Sequence, residues 1–242
     1  MQIKQNTIAD KFAEYFKEVI YGGIDGIVTT FAVVAGFAGA AISNSETTQL
    51  SFAVVLLFGL ANLFADAASM GLGNFLSVRS EKDLYSAKRN IELSEMQANP
   101  ETEVAETLIL LRQKGFTETD AITLTGIYRT NEEYWLDFMM NNEHEMSDPR
   151  GENEIFTGTA TFLSFMIFGA IPLLPFMLQS AGDPQTTFIY SSIGTLIALI
   201  VLGLMKWKVV GSGLKSSLIE VVLVGGTAAI LAYYVGTFFA GL

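Results

Sequence analysis

Residues 51–78 read SFAVVLLFGLANLFADAASMGLGNFLSV, 28 positions with one acid, Asp66, and no base. A helix needs about 20 apolar residues to cross the hydrocarbon core of a bilayer, so this stretch predicts a membrane span. The sequence then changes character at once: Arg79, Glu81, Lys82 and Asp83 follow within five residues. Four more apolar stretches, at 19–42, 155–178, 187–205 and 217–239, are long enough to span. The chain therefore reads as an all-α polytopic membrane protein with five transmembrane helices and a soluble insert between spans two and three. Composition agrees: 50% of the 242 residues are hydrophobic, 16% are charged, and mean hydropathy is +0.41.

Three segments follow: 1–79, an N-terminal amphipathic helix (7–16) with spans one and two; 80–152, a helical insert; and 153–242, spans three to five. Residues 1–18 carry charges throughout and lack a small-residue cleavage site, so no cleavable signal peptide is expected. With no cysteine, disulfides, thiolate metal sites and a cysteine nucleophile are excluded. With the N-terminus inside, all 14 Lys and Arg fall on one side of the membrane: before span one, in the insert, and around the loop after span four. Loops 43–49 and 179–185 contain none. The positive-inside rule then predicts a cytoplasmic N-terminus and insert and an outside C-terminus.

Between residues 80 and 150 there are 15 acids against 7 bases. Such a surface argues against nucleic acid, which needs basic patches, and for cations. The plain alternative is a helical domain kept soluble by its charge. Asn99-Pro100 reads as a helix start and Gly115 as its end. Two further helices are expected at 117–129 and 132–146, with 80–97 continuing span two. Glu92 with Glu95, and Glu103 with Glu106, are spaced i,i+3 and share helix faces. Two such faces meeting make an oxygen-rich cage. Met139 and Met140 lie beside Glu143; thioethers turn such a cage from Mg²⁺ or Ca²⁺ toward a first-row transition metal, although buried methionines more commonly pack cores. His144, the one histidine, reads as a solvent-facing helix residue.

The spans carry a second constellation. Asp25 and Asp66 each cost about 2.5–3.5 kcal/mol on insertion scales, and neither 19–42 nor 51–78 contains a base. Intramembrane acids of this kind mark ion pathways. Glu14, Glu18 and Asp25 are separated by 4 and 7 residues and fall on one stripe, as do Asn62, Asp66 and Met70. For Glu14 and Glu18 the polar face of an interfacial helix is an equal reading. Glycines at 22, 23, 26, 36, 39, 71, 73, 225 and 226 permit close helix packing, and Pro172 and Pro175 are expected to kink span three and free carbonyls. Glu220 is expected to reach toward Lys215 or the acidic vestibule. One chain offers few surfaces to enclose a path, so a homodimer across span one is attractive.

No enzyme is expected. A di-iron carboxylate oxidase would need Glu-x-x-His motifs that are absent here. A membrane-anchored metal sensor without transport is the other alternative, against which Asp25 and Asp66 stand.

Residues 25–36 (DGIVTTFAVVAG) and 61–73 (ANLFADAASMGLG) closely resemble the signature segments of the vacuolar iron transporter family, and the resemblance extends over nearly the whole chain. It implies a homodimer whose paired first spans form the ion path, with a cytoplasmic three-helix metal-binding domain. It also implies Fe²⁺ as the bound and transported ion, moved out of the cytosol in exchange for protons. Mn²⁺, Zn²⁺ or Co²⁺ would be accepted in its place, and no organic cofactor is implied. Asp25 and Met70 match the family's in-membrane residues, and Glu14 and Glu18 its entrance glutamates. Glu92, Glu95, Glu103, Glu106, Glu143, Met139 and Met140 match its metal-binding domain. Nothing reads as an organelle-targeting signal, so a prokaryotic plasma membrane is expected, or a vacuolar-type membrane in a eukaryote.

Overall fold

A computed structural model describes residues 15–41, 48–178, 184–211 and 213–240. No strand occurs among them. The helices are α1 (Phe16–Ala41), α2 (Thr48–Ala98), α3 (Pro100–Gln113), α4 (Glu118–Tyr128), α5 (Glu132–Asn142), α6 (Glu154–Gly169), α7 (Leu174–Leu178), α8 (Pro184–Val210) and α9 (Leu214–Ala240). Two compact units result, one of residues 76–154 and the other of the chain on either side. Five helical segments are long and apolar enough to cross a membrane: Phe16–Gly39, Ala53–Ala98, Glu154–Leu178, Gln185–Val210 and Leu214–Phe238. The chain is an integral membrane protein. Glu14 and nearly all of the expected amphipathic helix at 7–16 lie outside the described residues, as do most of the two base-free loops.

Helix α2 runs 51 residues, roughly 76 Å at 1.5 Å per residue. No proline interrupts it, and Asn99-Pro100 ends it: the ring of Pro100 pushes Asn99 out of the helical region, to φ −135° and ψ 60°.

In the membrane unit, α1 packs against α8 and α9, which also pack on each other. One core joins Phe31, Val34, Val55, Leu63, Phe165 and Leu173, and a second joins Ile27, Leu199, Leu202 and Val221. Large side chains on the outer faces stay exposed, Leu72, Ile167, Leu223 and Phe238 among them, as helices bathed in hydrocarbon require. With lipid tails as apolar as leucine, association relies on close approach and interhelical hydrogen bonds. Both are present. A Cβ on Gly26 would sit 2.5 Å from the Phe165 carbonyl oxygen, and one on Gly22 would sit 2.8 Å from that of Thr161. Gly71 and Gly158 bring α2 and α6 together in the same way. Gly73 and Gly226, by contrast, face open space. Ser164 Oγ donates to the Val19 carbonyl at 2.6 Å, and Asn74 Nδ2 to Thr161 Oγ1 at 2.8 Å.

The third span breaks where its prolines are. After Gly169 the chain makes one tight turn, Ile171–Leu173, and restarts as the short α7. The carbonyl of Pro172 accepts a 2.7 Å hydrogen bond from the buried Ser191 hydroxyl of α8, which ties the break to the neighbouring helix. Glu220 pairs with Lys206 of α8 and with Ser216, not with Lys215. Lys215 is five residues away, about 140° around the same helix, whereas Lys206 faces Glu220 from the neighbouring one.

In the insert unit, α3 ends at Gly115, whose φ of 95° suits only glycine well. Thr117 caps α4 by accepting from Asp120 N, and Asn131 caps α5 by accepting from Tyr134 N. Helix α5 stops at Asn142, short of the expected 146. Asn141 and Asn142 turn their side chains onto the Asp137 and Phe138 carbonyls, and Glu145 adopts a left-handed φ of 53°, which no helix can continue through. The core gathers Tyr85 and Met96 of α2 with Trp135, Leu136, Met139 and Met140 of α5. Arg89 ties α2 to α5 through Glu133 at 2.5 Å and Asp137 at 3.3 Å.

The glycine seam yields a direct test. Gly26→Val should lower the melting temperature of the detergent-solubilised protein by several degrees or prevent its recovery as a monodisperse species. Gly73→Ala, whose added Cβ meets nothing within 4 Å, should melt within about 2 °C of wild type. Equal melting of all three proteins would contradict this packing.

Candidate functional site

The insert unit brings acidic side chains from three helices to one place. Among the described residues, two groups place ligand atoms within 4.8 Å of one another: Glu92, Glu143 and His144, and Glu103, Glu106 and Glu143. Glu143 belongs to both. Glu92 comes from the end of α2, Glu103 and Glu106 from α3, and Glu143 and His144 from the turn that closes α5.

Burial is graded across the cluster. Glu92 is 1% and Glu103 4% exposed, while Glu106 is half-buried and Glu143 exposed. Glu92 Oε1 and Glu103 Oε2 are buried without a hydrogen-bond partner among the described residues. Buried carboxylate oxygens normally find donors; Glu92 and Glu103 can satisfy one another only through a proton carried by one of them, and a bound cation would serve the same end. The carboxylates suit a hard or borderline divalent ion. Glu95 is exposed and belongs to neither group, though its charge acts on Glu143. An i,i+3 spacing leaves two side chains about 60° apart, and the boundary of the core passes between Glu92 and Glu95.

Met139 and Met140 are fully buried in the insert core. The Met139 sulfur lies 3.3 Å from Thr107 Oγ1, which also accepts from Trp135 Nε1 at 2.8 Å and lies 2.7 Å from the Glu103 carbonyl oxygen. The sulfur is thus held one helical turn from Glu103. His144 is not solvent-facing. Its Nε2 lies 2.9 Å from Glu92 Oε2, and its side chain is 20% exposed. Spacing accounts for this: Leu136, Met140 and His144 stand at i, i+4 and i+8, and Leu136 and Met140 are buried in the insert core.

Crowding leaves an electrostatic signature. The Glu103 carboxyl is pushed up to about 8, first by burial, then by the charges of Glu92 and Glu106, by a hydrogen bond with Glu92, and by Glu143. Burial and Glu92 also push Glu143 up, against the opposing effect of His144.

The membrane unit holds the other candidate residues. Asp25 is half-buried on α1 and lines a cavity of about 670 Å³ with Lys17, Ile20, Tyr21, Ile24, Val28 and Lys206 among its walls. Glu18, 3% exposed, lies 3.5 Å from Lys17 Nζ, seven residues before Asp25 on the same helix. On α2, Asn62 donates to Asp66 Oδ2 at 2.7 Å. Asp66 is close enough to Asp25 to act on it electrostatically. Met70 is half-buried against the core of Leu63, Ala67 and Phe165. Two carboxylates from two helices thus lie within electrostatic reach in the spans, and among the described residues the side chain that hydrogen-bonds Asp66 is an amide.

With this geometry in view, comparison with known proteins is decisive. The VIT family profile matches residues 16–237. The chain belongs to the VIT family. Relatives at this distance include the vacuolar iron transporter of Toxoplasma gondii, 34% identical over 235 residues, covering 93% of this chain and 74% of that protein. Vacuolar iron transporter 1 of Arabidopsis thaliana is 33% identical over 220 residues, covering 91% and 84%. Its counterpart in Oryza sativa subsp. japonica is 34% identical over 220 residues, covering 91% and 83%. Membership of a transporter family accounts for charges within spans better than a membrane-anchored domain alone would.

The raised Glu103 predicts a pH dependence for this VIT family member. Below about 4.5 Glu103 is protonated folded or unfolded, and above about 8 it is ionised in both. Between those values the folded chain holds a proton that the unfolded chain has lost, so stability falls as pH rises. The melting temperature of the metal-free protein should therefore decline from pH 4.5 to 8, and Glu103→Gln should flatten that decline. A wild-type slope of zero or of opposite sign would contradict the crowded geometry.

Proposed function

We propose that the chain exports Fe²⁺ from the cytosol, accepting Mn²⁺ and related divalent ions, in exchange for protons. The observation that carries this reading is Asp25, a half-buried carboxylate inside an apolar span, beside a cavity and within electrostatic reach of a second acid. An ionisable group so placed is costly unless ions use it. The relatives named as vacuolar iron transporters support iron as the cargo.

In this reading the insert is a cytoplasmic metal-binding domain. Glu92, Glu95, Glu103, Glu106 and Glu143 collect the ion, and the Met139 and Met140 sulfurs bias the choice toward a borderline metal. Glu14 and Glu18 receive the ion at the mouth of the membrane unit. Asp25 and the Met70 sulfur strip part of its hydration inside, with Asp66 and Asn62 lining the route. A proton arriving on Asp25 releases the ion outward, because metal and proton compete for the same carboxylate. The transporter works as a homodimer, with the polar stripes of α1 facing across the axis. All 14 basic residues lie on the side assigned to the cytoplasm, which supports that orientation. The host membrane is a prokaryotic plasma membrane, or a vacuolar-type membrane in a eukaryote.

Fe²⁺ flux into proteoliposomes loaded with a pH dye tests the reading. Wild type should admit Fe²⁺ with matching proton exit, and Asp25→Asn should slow entry at least about tenfold, since the amide keeps the shape and removes the charge. Wild-type flux in the mutant would rule out the Asp25 route. Fe²⁺ entry without proton movement would rule out exchange. Failure of both Fe²⁺ and Mn²⁺ to enter, with metal still bound to the protein, would favour a sensor.

A further inference from the structure

We propose that His144 is itself a metal ligand, completing with Glu92 and Glu143 a mixed imidazole–carboxylate site for a divalent first-row cation. The inference rests on the insert's reading as a metal-binding domain and deepens it, by giving one of its two ligand groups a nitrogen donor and hence a different preference from the other.

The geometry is that of a site waiting for an ion. One ligand atom each from Glu92, Glu143 and His144 falls within 4.8 Å of the others. Ligands about 2.0–2.2 Å from a zinc-sized ion lie roughly 3–4.3 Å from one another, so an ion fits with small side-chain adjustments. Independently of the cluster, Glu92 is 1% exposed, yet its Oε1 has no hydrogen-bond partner among the described residues. Its other oxygen is met by His144 Nε2 at 2.9 Å. The buried end of the site is thus a carboxylate with one oxygen held by an imidazole and the other without a donor unless Glu103 carries a proton.

The choice of imidazole matters chemically. A lysine or arginine opposite Glu92 would neutralise it permanently and repel a cation. An imidazole satisfies Glu92 when no ion is bound, and then offers the ion its own lone pair. Access is built in as well: Glu143 is exposed and His144 partly so, while Glu92 lies at the bottom. An ion would enter past Glu143 and be completed by His144 and Glu92. The second group, Glu103, Glu106 and Glu143, offers oxygen alone. Imidazole favours Zn²⁺, Co²⁺ and Fe²⁺ over Mn²⁺, whereas an all-carboxylate group discriminates less. His144 therefore sets the selectivity of the first group.

The chain has one histidine, so a spectroscopic test can assign the nitrogen without a mutation. Tag-free full-length protein in detergent, grown with natural or ¹⁵N-labelled histidine, is loaded with Mn²⁺ and measured by pulsed electron–nuclear double resonance. A ¹⁴N hyperfine coupling that becomes a ¹⁵N coupling on labelling is the expected result. His144→Ala should then weaken Zn²⁺ and Co²⁺ binding by about tenfold or more and Mn²⁺ binding by less. No histidine nitrogen coupling with Mn²⁺ added until both ligand groups are filled would overturn the proposal and leave a carboxylate-only metal domain standing. Failure to bind Mn²⁺, Zn²⁺ or Co²⁺ at all would overturn both the proposal and the metal-binding reading beneath it. The labelled wild type decides the matter even if the alanine variant fails to fold.

Discussion

Taking a carboxylate out of water without a lysine or arginine ion-paired to it, among the described residues, is the constraint on which this protein is built. A buried charge is costly unless paired, and the chain accepts that cost twice. In the membrane unit Asp25 and Asp66 lie within electrostatic reach of one another, with an asparagine as the hydrogen-bonding neighbour of Asp66. In the insert, Glu92 and Glu103 are almost wholly buried, and each has one oxygen with no donor but a proton shared between the two. Folding alone offers no reason to place acids so. The surrounding structure has to hold them, and it does so with two different materials. In the membrane unit the holding comes from backbone-to-backbone approach at glycines. In the insert it comes from a core of Trp135, Met139, Met140 and Tyr85 cross-linked by Thr107 and Arg89.

The electrostatic consequence differs between the two units. In the insert, crowding lifts Glu103 to about 8, so at neutral pH one carboxyl of the cluster retains a proton. If the insert captures the ion as proposed, the arriving cation competes with that proton, and capture and proton release are linked there.

Much of the architecture was legible in the sequence. Apolar runs long enough to span are the strongest signal a chain can carry, because every backbone group in hydrocarbon must be satisfied inside a helix. Asn99-Pro100, Gly115 and the broken third span followed from local stereochemistry alone. The acids at 92, 103, 106 and 143 were legible as a set, because repeated i,i+3 pairs stand out in an insert. What spacing could not give was depth. Glu95 resembles Glu92 in sequence but lies on the other side of the core's edge. His144 is the reverse case: read as surface, it stands at i+4 from Met140 and i+8 from Leu136, both buried, and that stripe is the signal that marks it as core-facing. Gly73 and Gly226 likewise resemble the packing glycines and pack against nothing.

The seam between α1 and α6 bears on motion. Gly22 and Gly26 flank Asp25, and both press onto the backbone of α6 with no room for even a methyl group. Two helices in such contact cannot roll or slide past one another without collision, because there are no side chains to swap rotamers and take up the movement. A rearrangement near Asp25 that preserves this contact would carry α1 and α6 together. The give has to come from joints elsewhere, and the proline-broken stretch after Gly169, where α6 ends, is one place in the same helix pair where the regular hydrogen-bond ladder is already interrupted.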